Sequence, residues 1–174
     1  MDTNNFLRAV LGTAGYYCLF ASNSTTSKRV QRFYEDVDVL VEEALDLDSL
    51  GYDVYFGLAG FNEKGSRKAD NVKSLRSFFL DLDCGPSKDY PTKKAALTAL
   101  KEFCTVLSLP KPLCIDSGRG IHCYWPLSDN IHPDDWVPVA EKLKALCAQH
   151  KFYADPAVTA DIARVLRVPT THNY

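Results

Sequence analysis

The sequence predicts an α/β (α+β) protein built on a central mixed β-sheet flanked by helices. Apolar residues recur at helical spacing in some segments, and alternate or run together in the segments between them. Glycine and proline fall at the joints between those segments, where helices stop and start. A glycine-rich turn at residues 117–120 implies a hairpin, while the interleaving of strands with helices implies crossovers, so both kinds of neighbour are expected in one sheet.

The chain starts MDTNNFLRAVLGTAGYYCLFASNS, which reads as a folded beginning: its apolar middle carries Asp2 and Arg8 and is broken by glycines. A helix is predicted from Arg32 to Leu50, with Val37, Leu40, Val41, Ala44 and Leu45 at helical spacing and Gly51 ending it. DVYFGLAGF, residues 53–61, branches and alternates as a strand does, and NEKGSRKADN after it is a loop. SLRSFFLDLD, residues 74–83, is a second strand, and CGPSKDYP another loop. Pro91 suits the first turn of a helix to about Leu107, with Ala96, Leu100, Phe103 and Leu107 on one face. LPKPLCID leads as a short strand into SGRG, and IHCYWPL is the strand that follows. Pro133 opens a helix with Trp136, Ala140, Leu143 and Cys147 on its buried stripe, and ARVLRVP, residues 163–169, is the last strand.

With 174 residues and no internal repeat, one domain spanning residues 1–174 is expected. The net charge of −2 names no partner, so a nucleic-acid site would need basic residues gathered locally. No apolar run approaches the roughly 20 residues of a membrane span. The six cysteines, at 18, 84, 104, 114, 123 and 147, form no C-x-x-C pair, and those in apolar runs (Cys104, Cys114, Cys147) read as buried, reduced thiols. A cytoplasmic setting in a bacterial, archaeal or phage-infected cell is the corresponding expectation.

Three stretches carry chemistry. In FFLDLDCG, four apolar residues run into Asp81 and Asp83. One residue apart in a strand, the two carboxylates share a face about 7 Å apart along the chain. Exposed caps are the bland reading; hard oxygen ligands for magnesium or manganese are the functional one. FLDLD is also similar to the start of haloacid-dehalogenase phosphatases, although Gly85 stands where that pattern has Thr or Val. The late acidic pair it requires has only Asp134-Asp135 to offer.

In IDSGRGIHCYW, glycines flank an arginine, so backbone N–H groups can converge on an anion. Ser117, Arg119 and His122 add a hydroxyl, a guanidinium fork and an imidazole, which together suit a phosphate. The bland reading is an ordinary hairpin with a core histidine. His122 and Tyr124 share one face of the following strand, Ile121 and Cys123 the other. In YADPAVTADIARVLRVPTTHN, Asp155 and Asp161 are both turn or cap candidates. Arg164 and Arg167, an odd number apart, face opposite sides of a strand.

In order, these stretches resemble the archaeo-eukaryotic primase superfamily, the primase-polymerases. Asp81 and Asp83 match its first motif. Ser117, Gly118, Arg119, Gly120 and His122 match its second, a Ser-x-x-x-His type turn. Asp155, followed by Arg164-Val165-Leu166-Arg167-Val168-Pro169, matches its third. The resemblance runs from about Tyr55 to the last residue and is nearest to phage and plasmid replication proteins, where such a domain is often joined to a helicase. Thr170 stands where glycine is common, and the chain stops at Tyr174 where a lysine would follow, as in the N-terminal part of a longer replication protein.

The resemblance implies an RRM-like catalytic core and template-dependent nucleotidyl transfer, synthesising or extending primers on single-stranded DNA. It implies two Mg2+ or Mn2+ ions on Asp81, Asp83 and Asp155, and an NTP or dNTP held by Ser117, Arg119 and His122 with Arg164 or Arg167. Template would lie on basic residues drawn from Lys28, Arg29, Arg32, Lys64, Arg67, Lys68, Lys73 and Arg76, each of which could equally be solvated surface. An inactive member that only grips nucleotide or DNA, and the phosphatase, are the competing functions.

Overall fold

A computed structural model describes residues 1–174. In chain order the elements are α1 (Thr3–Val10), β1 (Tyr16–Ser22), β2 (Arg29–Tyr34), α2 (Val37–Ser49), β3 (Asp53–Phe61) and β4 (Val72–Asp83). They continue with α3 (Lys93–Val106), β5 (Leu113–Asp116), β6 (Gly120–Ile131), α4 (Pro133–Gln149), α5 (Pro156–Thr159) and β7 (Val165–Arg167). The strand order is β2-β1-β3-β4-β6-β5, with β7 also paired to β3.

Two split crossovers account for this order. β1 is antiparallel to both β2 and β3, so β2 and β3 run parallel with β1 between them, and α2 is the crossover. β5 is antiparallel to β6. The N–H of Cys84 donates to the carbonyl of Arg119 (3.0 Å), so β6 starts where β4 ends. β4 and β5 are therefore parallel with β6 between them, and α3 crosses over. The helix-flanked α+β sheet is as expected, but its neighbours are antiparallel rather than mixed. The crossovers inferred from the interleaving are present; each skips one strand.

The chain divides into two compact units, and β4 and β6 pass from one to the other. The first comprises Met1–Arg76, Leu127–Pro133 and Ile162–Tyr174. Here Asp2 caps α1 by accepting the N–H of Asn5 (2.8 Å), and α1 buries Phe6, Leu7 and Val10. Asp36 caps α2, accepting from the N–H of Asp38 (2.8 Å), which starts that helix at Val37. The expected start at Arg32 is therefore wrong: Arg29–Tyr34 is an edge strand.

The second unit comprises Ser77–Pro126 and Asp134–Asp161. Its core joins Leu80 and Leu82 of β4, Leu100 and Phe103 of α3, and Ile121, Cys123 and Trp125 of β6. Each such side chain contributes about 1.5–3 kcal/mol on burial. Thr92, one residue after Pro91, is the cap of α3, accepting from Ala95 (3.2 Å). Trp136 of α4 is fully buried, donates from Nε1 to the Ser77 carbonyl (2.9 Å) and stacks on Phe78. All six cysteines are free thiols; Cys114, expected inside, is exposed because β5 is an edge strand. No helix is long and apolar enough to cross a membrane.

Candidate active site

The alternation of β4 sets the site. Leu80 and Leu82 point into the core, so Asp81 and Asp83 leave the opposite face, Asp81 half-buried and Asp83 exposed at the strand end. The hairpin of β5 and β6 then lies against that end. Gly118 sits at φ +89°, where a side chain would be strained, and Gly120 comes so close that a Cβ would lie 2.2 Å from the Leu82 carbonyl oxygen. The two glycines of the turn thus do different work: one permits the bend, the other the approach. The Asp116 carboxylate fixes the turn from within, accepting from the N–H of Gly118 (2.8 Å) and from Lys93 Nζ (2.6 Å).

That approach brings His122 to Asp81. Nε2 of His122 is 3.6 Å from Oδ1 of Asp81, and the ring is buried, edge-on to Tyr124 with Nδ1 3.5 Å from the tyrosine hydroxyl. Burial, and then the negative charge of Asp81, push the Tyr124 phenol well above its ordinary pKa. His122 is therefore neither an exposed turn residue nor a purely apolar core histidine. Ser117 is half-buried and Arg119 exposed, its guanidinium without a protein partner.

Asp155 reaches the same place from far along the chain. Its N–H donates to the carbonyl of Asp81 (2.9 Å). Tyr90 guides it there: its hydroxyl accepts from the N–H of Tyr153 (2.9 Å), and its ring meets those of Phe152 and Tyr153. The carboxylate of Asp155 also caps α5 through the N–H of Ala157 (2.8 Å). Asp161 lies after α5, its N–H bonded to the Val158 carbonyl.

Sequence reasoning overlooked Lys88. Its Nζ lies 2.7 Å from Oδ2 of Asp83. The hydrogen bond to Asp83 raises the pKa of this ammonium most, with the charge of Asp83 next and those of Asp81 and Asp155 adding smaller increments against a slight desolvation. Lys88, Asp83 and Asp155 line a cleft of about 750 Å³ together with Tyr153 and with Glu141 and Lys144 of α4. No three His, Cys, Asp or Glu side chains stand together as a ready-made metal cage. The carboxylates of Asp81, Asp83 and Asp155 are nevertheless hard oxygen donors on neighbouring segments, which is the donor chemistry a magnesium or manganese ion takes.

The remaining predicted residues lie in the first unit. Arg167 is buried, bonded through Nη2 to Asp53 (2.9 Å) and the Tyr55 hydroxyl (3.3 Å), through Nη1 to the His172 carbonyl, and stacked over the Tyr55 ring. Its guanidinium serves the fold, which removes it from the nucleotide-binding set. Arg164 is half-buried just before β7, its carbonyl accepting from Leu58. Arg76 donates to the carbonyls of Leu127, Arg8 and Ser128, and Arg67 to that of Ala163, so both are structural tethers rather than free DNA contacts. Lys64 pairs with Glu35 and Arg32 with Glu43, while Lys28, Arg29, Lys68 and Lys73 are exposed. Asp134 and Asp135 occupy the first turn of α4, not the end of an apolar strand, so the phosphatase pattern loses its second acidic pair.

The fold is that of the archaeo-eukaryotic primase-polymerase catalytic domain. Among solved structures, the chain is similar to the corresponding domain of the cyanophage S-2L primase-polymerase, with a TM-score of 0.63 and 17% identity over 88% of this chain and 72% of that one. It is also similar to the primase RepB′, with a TM-score of 0.60 and 15% identity over 99% and 51%. The catalytic domain of that primase in complex with initiator DNA matches at 0.59 and 14%, over 95% and 73%. In sequence it is 33% identical over 133 residues to a replication protein of Clostridium perfringens, covering 75% of this chain and 32% of that protein. The chain thus spans about a third of the length of this curated relative. No family model matches it.

Proposed function

We propose that this chain is a DNA primase-polymerase domain, a template-dependent nucleotidyltransferase that makes or extends primers on single-stranded DNA. The observation that carries the reading is the backbone hydrogen bond from Asp155 to Asp81 (2.9 Å), which brings that segment to the strand end where Asp81 and Asp83 share a face, beside the turn that presents Ser117 and Arg119. The fold shared with primase domains supports it, as does the replication protein among its relatives.

Asp81, Asp83 and Asp155 would hold two Mg2+ or Mn2+ ions. Such ions, when bound, lower the pKa of a primer hydroxyl and neutralise the charge of a triphosphate and its leaving pyrophosphate. The chain's own groups prepare the site. His122 fixes the orientation of Asp81, and Tyr90 fixes the segment that delivers Asp155. Lys88 offsets the mutual repulsion of the carboxylates, and its flexible, half-exposed stem lets it yield its place to a stronger cation. The Ser117 hydroxyl and the Arg119 guanidinium face an incoming NTP or dNTP at its phosphates, the guanidinium contributing a two-pronged contact, while the N–H groups of Ser117 and Gly118 are used within the hairpin itself. Single-stranded template lies along exposed basic side chains, of which Lys68 and Lys73 remain uncommitted. A helicase partner in a longer protein is part of the same proposal.

A primed single-stranded template, labelled nucleotides and manganese test it. Extended product is expected. Retention of DNA without product would make the chain a binding module instead, and release of phosphate from a simple ester would make it a phosphatase.

A further inference from the structure

We infer that Cys114 and Cys123 form a redox-active thiol pair that closes into a cross-strand disulfide, a modification site on the hairpin that carries Ser117 and His122. The register sets the two residues directly opposite each other on β5 and β6. The N–H of Ser117 donates to the Gly120 carbonyl (3.1 Å), which makes residues 117 and 120 a hydrogen-bonded pair. Such pairs alternate along an antiparallel ladder, so three steps further back residues 114 and 123 form a non-hydrogen-bonded pair. Opposed Cα atoms in that kind of pair lie about 4.5 Å apart. A disulfide spans Cα separations of roughly 4.4–6.8 Å. Opposed side chains leave the same face of a ladder, so the two thiols are neighbours across the strands.

The two sulfurs are not equivalent. Cys114 sits on the edge strand and is exposed, whereas Cys123 is fully buried. The neighbouring Cys123 thiol, opposed by burial and helped by Lys111, draws the Cys114 thiol below its ordinary pKa. Cys114 in turn, and then burial, push Cys123 up. Cys114 is thus the thiol a dissolved oxidant meets, and Cys123 the one that resolves the intermediate.

With oxidised glutathione as the oxidant, the Cys114 thiolate attacks one of its sulfurs. A protein–glutathione disulfide forms, and one glutathione leaves as its thiolate. Cys123 then loses its proton and attacks the Cys114 sulfur, expelling the second glutathione. Two protein thiols are oxidised by two electrons, and the small disulfide is reduced to two thiols. The closed ring encompasses residues 114–123, and it ties the strand leading into Ser117 to the strand bearing His122.

The test uses the full chain, folded, incubated with oxidised glutathione, and reads intact mass and the thiol count after denaturation. The count is expected to fall from six by two, with a mass lower by about 2 Da and no retained glutathione. Cys114→Ser, at an exposed position, should lose no thiol. Cys123→Ser should stop at the glutathione adduct on Cys114, and Cys104→Ala should still lose two. An unchanged thiol count, a stable adduct on Cys114 in the unaltered chain, or a cross-link that survives Cys114→Ser would overturn the pair. None of these results depends on polymerase activity, so the inference stands or falls apart from the proposed function.

Discussion

The molecule builds with charged side chains in two places, and the two differ in how completely the protein satisfies them. In the first unit, Arg167 and Asp53 are a buried pair, their side chains only 9% and 13% exposed. The C-terminal residues seal this cluster: the N–H of Tyr174 also donates to Asp53 (3.1 Å), and Asp48 accepts from the N–H and ring of His172 (2.7 and 2.8 Å). In the second unit, Asp83 and Lys88 are each about half exposed, and the Arg119 guanidinium has no protein partner. Both places use the same residue types. The closed one is structural; the open one keeps its charge where a ligand can meet it.

The comparison breaks first at Asp83. Changing Asp83→Asn leaves the fold intact and should lower manganese-dependent extension on the order of 1,000-fold, about 4 kcal/mol of transition-state stabilisation. Extension within tenfold of the unaltered chain would mean that the open cluster is not catalytic. Second comes Arg167→Met, which strands Asp53 in a buried site and should cost about 3 kcal/mol of stability. For a chain of this size that is a fall in Tm of roughly 6–12 °C. Calorimetry decides it, and an unchanged Tm with weakened nucleotide binding would return Arg167 to the active site.

Third, Arg119→Ala should leave Tm unchanged and weaken triphosphate binding by about 1.5–3 kcal/mol, roughly 10- to 150-fold, as measured by isothermal titration. The smallest effect concerns the support of the turn. The hydrogen bond from Lys93, then that from the Gly118 N–H, holds the Asp116 carboxyl below its usual pKa. A depressed carboxyl stabilises the fold above its unfolded pKa of about 3.9 and loses that contribution as the pH falls through its folded value. Because the group is mostly exposed, the stake is a few tenths of a kcal/mol. Urea unfolding of Asp116→Asn should therefore show a slight loss at pH ~7 that disappears near pH ~2; a loss that grows in acid would reverse the assignment.

How far the sequence could be read follows the same division between local and long-range causes. β3 was legible to the residue, because Gly51 stops the helix before it and its branched and aromatic residues alternate. The shared face of Asp81 and Asp83 follows from strand geometry alone, and the SGRG hairpin from its glycines. β2 was not legible: Arg29, Gln31 and Arg32 are exposed on an edge strand, so no apolar alternation marks it. Arg167 looked available because nothing near it in sequence reveals that Tyr55 is its partner across β7 and β3. Lys88 was passed over because its partner is set by the chain reversal between Gly85 and Tyr90, not by any periodic spacing. Asp155 was identified by motif order, but what delivers it to Asp81, the hydroxyl of Tyr90, acts across a separation that no local pattern encodes.

Manganese binding in the absence of nucleotide, followed by electron paramagnetic resonance, tests the convergence of the three carboxylates most directly. About two ions per chain are expected, with binding lost or much weakened in Asp155→Asn and retained in Asp161→Asn. Retention in Asp155→Asn together with loss in Asp161→Asn would contradict the account.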